Sequence, residues 1–241
     1  MMHQDYPLDQ EVNPMREVTL TFVKHFANSD PALMRDAKEV LAKFTGIWRN
    51  SAGMPLPDRY AVMHAAADTE IDAIKSRLPM PVPCAKGCNH CCKFNRILVT
   101  PHEAVLLVRH IEGLSEPEKA AVLARISTST SQSGGGEVAP CALLDAQGCS
   151  VYAARPLPCR GFYSTSEPAC NRRLNGGPNP PNIAATRMVE LAAMDVAAAC
   201  KHPPYEVNTL LRRIYSDPVK IASWAAGRPT EERDLAITVT R

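Results

Sequence analysis

The sequence predicts a mainly helical protein, a helical bundle packed around an irregular cysteine-rich centre that carries a small β-hairpin. Two observations carry this prediction. Apolar residues recur at helical spacing in segments on both sides of the middle of the chain. Eight of the nine cysteines fall between Cys84 and Cys170, a stretch broken by prolines and glycines, and only Cys200 stands apart.

Asp30-Pro31 is a helix start signal, and Leu33, Ala37, Val40, Leu41, Phe44, Ile47 and Trp48 then mark one face of a 3.6-period helix. A shorter helix around Val18, Phe22, Val23 and Phe26 precedes it. A third, from about Asp58 to Leu78, carries Met63, Ala67, Ile71, Ile74 and Leu78 on one side. These stripes read as core, and His25 and His64 as ordinary surface histidines of the helices. The prolines of "LPMPVPC" then remove donors and force extended backbone, which sets an internal boundary near residue 81. "RILVT" reads as a short strand. "TPHE" is a capping box opening a helix through about Glu112, and "SEPE" repeats the signal for a helix from Ser115 to about Ser127. The Ser/Gly-rich stretch 127–138 reads as a flexible linker. "CALL" and "CSVY" flank "DAQG", a tight hairpin with Gly148 in a left-handed conformation, which would set Cys141 opposite Cys149. After the "NGGPNPPN" loop come a helix from about Ile183 to Cys200, another from about Tyr205 to Tyr215, and a last turn or two from Pro218 to Gly227. The expected organisation is a helical region 1–80, a cysteine-rich domain 81–174 and a helical region 175–241. Cys200, on an apolar helix, is assigned to the core.

Composition excludes several classes. A 45% hydrophobic content in 241 residues suffices for ordinary cores, and a net charge of +2 gives no electrostatic footprint for nucleic acid. No apolar run approaches the roughly 18 residues that would span a bilayer, so no membrane partner is expected. The N-terminal stretch "MMHQDYPLDQEVNP" lacks an apolar signal region, and a reducing cytoplasm is the expected location. Nine cysteines lie far below the roughly 8–10% of disulfide scaffolds. Their clustering needs another explanation.

Thiolates are the softest ligands a protein has, and four of them close a tetrahedral shell around zinc or hold the irons of an iron–sulfur cluster. Cys84-x3-Cys88-x2-Cys91-Cys92 puts four thiols in one loop, where Gly87 permits a positive φ and the N–H groups of Lys86 and Gly87 could reach sulfur. Cys91 and Cys92 are neighbours whose side chains diverge, so the two would serve different metals or different irons. Cys141, Cys149, Cys159 and Cys170 supply four more thiols with no helical period linking them. Eight thiols suit two tetrathiolate sites, or a cluster plus a structural metal. Proline precedes Cys84, Cys141 and Cys159, and Lys86, Lys93, Arg96, Arg155, Arg160, Arg172 and Arg173 offer charges to offset thiolates. His90 sits inside the first loop and could lend a nitrogen in place of a thiol, although eight thiols are available without it. The expected ligand is a metal ion or cluster, Zn2+ or iron–sulfur.

The order C-x3-C-x2-C-C, P-C, G-C-x-V-Y-x-x-R-P-x-x-C-R and a final Cys resembles the YkgJ-type cysteine-cluster family, also called CxxCxxCC and described as zinc- or iron-chelating. The resemblance runs from Cys84 to about Cys170 and includes Val151, Tyr152, Arg155, Pro156 and Arg160. It implies that Cys84, Cys88, Cys91, Cys92, Cys141, Cys149, Cys159 and Cys170 are the ligands. Related flagellin lysine N-methylases carry the same pattern, so an iron–sulfur enzyme of that kind is the alternative. The triad Cys84, Cys88 and Cys91 also has the spacing of radical S-adenosylmethionine enzymes, and "GGGE" at 134–137 imitates their methionine-binding motif. Against that reading stand the absence of repeated strand–helix units and the five cysteines left over. No catalytic residue can be assigned from the sequence.

Overall fold

The computed structural model describes residues 31–132, 138–197 and 204–230. The expected helix around Val18 to Phe26, His25, the "GGGE" stretch and Cys200 lie outside the described residues. The chain divides into two compact units: Met1–Pro81, Arg160–Tyr163 and Ile183–His202 form one, and Val82–Cys159, Ser164–Asn182 and Pro203–Arg241 form the other.

In the first unit, helices α1 (Pro31–Asn50) and α2 (Leu56–Ser76) pack on each other and on a helix at Ala184–Ala197 that returns to them late in the chain. The apolar stripe of α1 does what its period dictates: Ala37, Val40, Phe44 and Trp48 are buried. They meet Tyr60, Met63, Ala67 and Ile71 of α2 and, from the returning helix, Val189, Ala192 and Val196. Trp48 and Tyr60 meet edge to face at 5.7 Å, and the Arg59 guanidinium lies 3.7 Å from the Trp48 ring centre while Nη2 donates to the Trp48 carbonyl at 2.7 Å. A buried arginine is held here because its flat cation has both an aromatic face and an acceptor. His64 corrects the sequence reading: it is buried on α2, not on its surface. Its position, one residue after Met63 and three before Ala67, puts it on the edge of a stripe that the returning helix also covers.

The second unit holds the cysteines. Its elements are α3 (Cys91–Phe94), β1 (Leu98–Val99), α4 (Pro101–Glu112), α5 (Glu116–Thr128), β2 (Leu144–Asp145), β3 (Gly148–Cys149), a 3-10 turn at Tyr152–Ala154, the start of α6 (Leu157–Gly161), α7 (Glu167–Leu174), β4 (Tyr205–Glu206), α9 (Val207–Tyr215) and α10 (Pro218–Ala225); the returning helix of the first unit, Ala184–Ala197, is α8. Both capping boxes are present: Thr100 with Glu103 opens α4, and Ser115 with Glu118 opens α5. β1 pairs antiparallel with β4, Leu98 opposite Glu206 and Val99 opposite Tyr205. The helix expected from Tyr205 therefore begins at Val207, because Tyr205 and Glu206 satisfy their backbone in the strand. Glu206 also caps α9, accepting from the N–H groups of Asn208 and Thr209 at 2.8 and 2.9 Å. The core is formed by Val105, Leu107, Val108 and Ile111 of α4, Val122 and Ile126 of α5, Leu210, Leu211 and Ile214 of α9 and Trp224 of α10, with Cys141, Leu143 and Val151 on its flank.

The hairpin is observed, with Gly148 at φ +120°. Its register pairs Leu144 with Cys149, so Cys141 does not face Cys149 across the strands as the sequence suggested. The strands are only two residues long, and Cys141 lies before them in a turn closed by its own carbonyl, which accepts from Leu144 N–H at 3.0 Å.

Candidate metal centre

All eight candidate ligands lie in the second unit, and all eight are free thiols. Five segments deliver them. Cys84 and Cys88 come from the loop before α3, where Cys88 N–H donates to the Ala85 carbonyl at 3.0 Å and Gly87 takes φ +98°. Cys91 and Cys92 open α3. Cys141 precedes the hairpin, Cys149 lies in its strand β3, and Cys159 and Cys170 sit on α6 and α7. The single-turn helices α3 and α6 and the two-turn α7 were not apparent in the sequence, because segments this short have no measurable period.

The polypeptide itself draws the two cysteine regions together. Cys141 N–H donates to the Cys92 carbonyl at 2.8 Å. Gly148, next to Cys149, lies so close to Gly87, next to Cys88, that a Cβ on Gly148 would sit 3.1 Å from the Gly87 Cα. Ser164 N–H donates to Cys84 Sγ at 3.3 Å, and the Cys84 thiol lies 3.6 Å from the Ser164 carbonyl as its donor. The sulfur thus receives its backbone N–H from Ser164, where the sequence had suggested Lys86 or Gly87. α3 also packs against α7, the helix of Cys170.

Two groupings emerge from which thiols act on one another. Burial pushes the Cys84 thiol up to about 11, opposed by the Ser164 N–H and reinforced by Cys88, Cys170 and Cys91. Cys170 is raised by burial and then by Cys88 and Cys91. Cys141 is pushed up to about 12, chiefly by burial, with Cys149 and Cys91 adding to it. Burial holds Cys159 well above the ordinary thiol range, and Cys141, Cys91 and Cys149 add to the effect. Cys84, Cys88 and Cys170 form one group; Cys141, Cys149 and Cys159 form another. Cys91 lies within electrostatic reach of both, its own thiol raised first by a hydrogen bond to Cys92 and then by burial.

Arg155 supplies the positive charge of the second group. It stacks over the Tyr152 ring at 3.6 Å and draws down the thiols of Cys91, Cys149 and Cys159, against the larger effects that raise them. Arg160, by contrast, is buried in the first unit and pairs with Asp68. Among the described residues, no three His, Cys, Asp or Glu side chains are drawn in to metal-ligand spacing. The donor chemistry nevertheless fits a soft ion: eight unpaired thiols, no disulfide among them, and a cation beside the more buried group.

Sequence reasoning missed the residues that fix the thiols in place. Asn208, fully buried at the start of α9, accepts from Ala142 N–H at 2.8 Å and donates to the Pro140 and Thr130 carbonyls at 2.9 and 3.0 Å, clasping Cys141 from both sides. Arg125 of α5 donates to the Ala142 carbonyl at 3.3 Å and to Ser150 Oγ at 3.0 Å. Glu103 Oε1 accepts from Leu157 N–H at 2.8 Å, two residues before Cys159. Nothing in the spacing of these residues announces a partner so far away in the chain. Only Ser166, the N-cap of α7, and Asn171, directly after Cys170, stand beside a cysteine segment where they could have been suspected.

Residues 83–176 match the family model CxxCxxCC, whose description reads "Putative zinc- or iron-chelating domain". The helices before and after it lie outside the match. No curated protein and no solved structure matches the chain. Among the described residues, no helix is long and apolar enough to cross a membrane.

Proposed function

We propose that the second unit chelates zinc or iron through Cys84, Cys88, Cys91, Cys92, Cys141, Cys149, Cys159 and Cys170, acting as two sets of donors. The observation that carries this reading is the gathering of eight free thiols into one compact unit, six of them in two groups whose members act on one another and Cys91 within reach of both. A bound ion would supply the positive charge that buried thiolates otherwise lack, and Arg155 would offset part of the remaining negative charge of the second group. The role is chelation, with the thiols as donors to the ion.

The test is elemental analysis with an absorption spectrum on protein purified without oxygen. About two zinc ions per chain and no visible colour are expected from two closed thiolate sites. A broad band near about 400 nm with acid-labile sulfide would assign an iron–sulfur cluster to the same thiols. Cys88→Ser and Cys159→Ser should each lower the bound metal, while Cys200→Ser should not. Equal metal content in all three variants and the parent would overturn the ligand assignment.

A further inference from the structure

We infer that His90 is a metal ligand through Nδ1, completing with Cys84, Cys88 and Cys170 a three-sulfur, one-nitrogen site whose imidazole is oriented by Asn171. The inference rests on the chelation proposed above and deepens it. Its geometry is local and specific. His90 Nδ1 lies 3.5 Å from Cys88 Sγ. With ordinary zinc bond lengths of about 2.3 Å to sulfur and about 2.05 Å to nitrogen, two ligands at a tetrahedral angle stand about 3.6 Å apart. The pair is therefore already spaced as two corners of one coordination shell.

The other face of the ring supports the same role. His90 Nε2 lies 2.9 Å from Asn171 Oδ1. With the amide oxygen accepting, the ring proton is fixed on Nε2, and Nδ1 presents a lone pair toward Cys88. A metal-bound imidazole characteristically donates its other N–H to such an oxygen. Asn171 directly follows Cys170 on α7, so the element that delivers a thiol to this group also orients the imidazole.

The chain direction then explains the neighbouring pair of donors. His90 is the N-cap of α3 in helical conformation, φ −59° and ψ −49°, and Cys91 is the first residue of the helix. Consecutive helical side chains diverge by about 100°. His90 faces Cys88 and Asn171, which leaves one of the diverging pair Cys91 and Cys92 to complete a four-sulfur site with Cys141, Cys149 and Cys159. On binding Zn2+, three thiols release their protons and the neutral imidazole releases none. The site then carries net charge of about −1, where four thiolates would carry about −2.

Zinc K-edge X-ray absorption on the full chain, reduced, stripped and reloaded with Zn2+ alone, tests this. The expected spectrum contains imidazole scattering amounting to roughly one nitrogen for every seven sulfurs, averaged over the two sites. His90→Ala should abolish that scattering, and His90→Cys should restore zinc retention with sulfur only. Asn171→Leu should keep the nitrogen shell but weaken zinc retention against a competing chelator by about 10- to 100-fold. An all-sulfur spectrum from the unaltered chain, or imidazole scattering that survives His90→Ala, overturns the role of His90 while leaving thiolate chelation standing. Failure of the unaltered chain to retain either zinc or iron overturns both.

Discussion

Asn208 shows how a single uncharged side chain can govern a thiol it never touches. Its amide serves Ala142 N–H and the Pro140 and Thr130 carbonyls, and it is completely buried. Removing it leaves the buried Ala142 N–H without a partner, at a cost of about 1–3 kcal/mol, while the carbonyls of Pro140 and Thr130, both exposed residues, can turn to water. Asn208→Ala is expected to destabilise the protein by about 1–3 kcal/mol in urea unfolding and to weaken zinc retention, because Cys141 sits between Pro140 and Ala142, which Asn208 binds. A variant that unfolds early yet holds zinc as well as the parent would show that Cys141 is positioned by something other than this clasp. Such a residue was invisible in the sequence for a physical reason: an asparagine at the start of a helix looks like a local cap, and its actual partners come from chain segments far away. The cysteines themselves were legible because their chemistry needs no context. Their grouping was not, since irregular spacing does not reveal where a side chain points.

At the scale of elements, the sequence was most informative where a period or a cap is repeated. The apolar stripe of α1, the two capping boxes and the glycine of the hairpin each arise from local stereochemistry. The boundary at Tyr205 was misread because a two-residue strand depends wholly on its partner, β1. Two glycines separate local from tertiary demands. Gly46 lies inside α1 with no atom within 4 Å of an added Cβ, so Gly46→Ala should stabilise by about 0.5–1 kcal/mol. Gly148 has φ +120° and would drive its Cβ to 3.1 Å from the Gly87 Cα. Gly148→Ala should destabilise by more than about 1 kcal/mol and disturb the hairpin's approach to the Cys84–Cys88 loop. Thermal melts of the two variants should move in opposite directions; a shift of the same sign in both would contradict this distinction.

For the molecule as a whole, the cysteine-bearing unit should respond to pH in opposite ways with and without metal. In the metal-free chain, Cys84 and Cys141 keep their protons up to about 11 and about 12, while an unfolded chain gives up thiol protons near the ordinary 9.0. The folded state then binds more protons than the unfolded one over that window, so stability is complete below pH 9 and falls as pH rises toward 11 and 12. In the zinc-loaded chain the ligand thiols have already lost their protons at neutral pH, so this alkaline loss should shrink. The loaded chain should instead weaken on acidification, as protons compete for sulfur. Melting temperatures from about pH 6 to 11 with zinc and with chelator check both arms, a window that brackets the ordinary thiol value. Parallel curves would mean that these thiols bind no zinc.

The hydrogen bond from Cys141 N–H to the Cys92 carbonyl has a kinetic meaning as well. It fastens the two ends of the long loop between the cysteine regions, so the entropy of closing that loop is settled by the backbone before an ion arrives. On the chelation proposed above, ion capture would be left with rotation of side chains and departure of protons. The rotations belong to about the picosecond-to-nanosecond range, far faster than a chain searching for its own fold. Metal exchange with an outside chelator should accordingly be governed by breaking metal–sulfur bonds, with the polypeptide serving as a frame that stays assembled between one ion and the next.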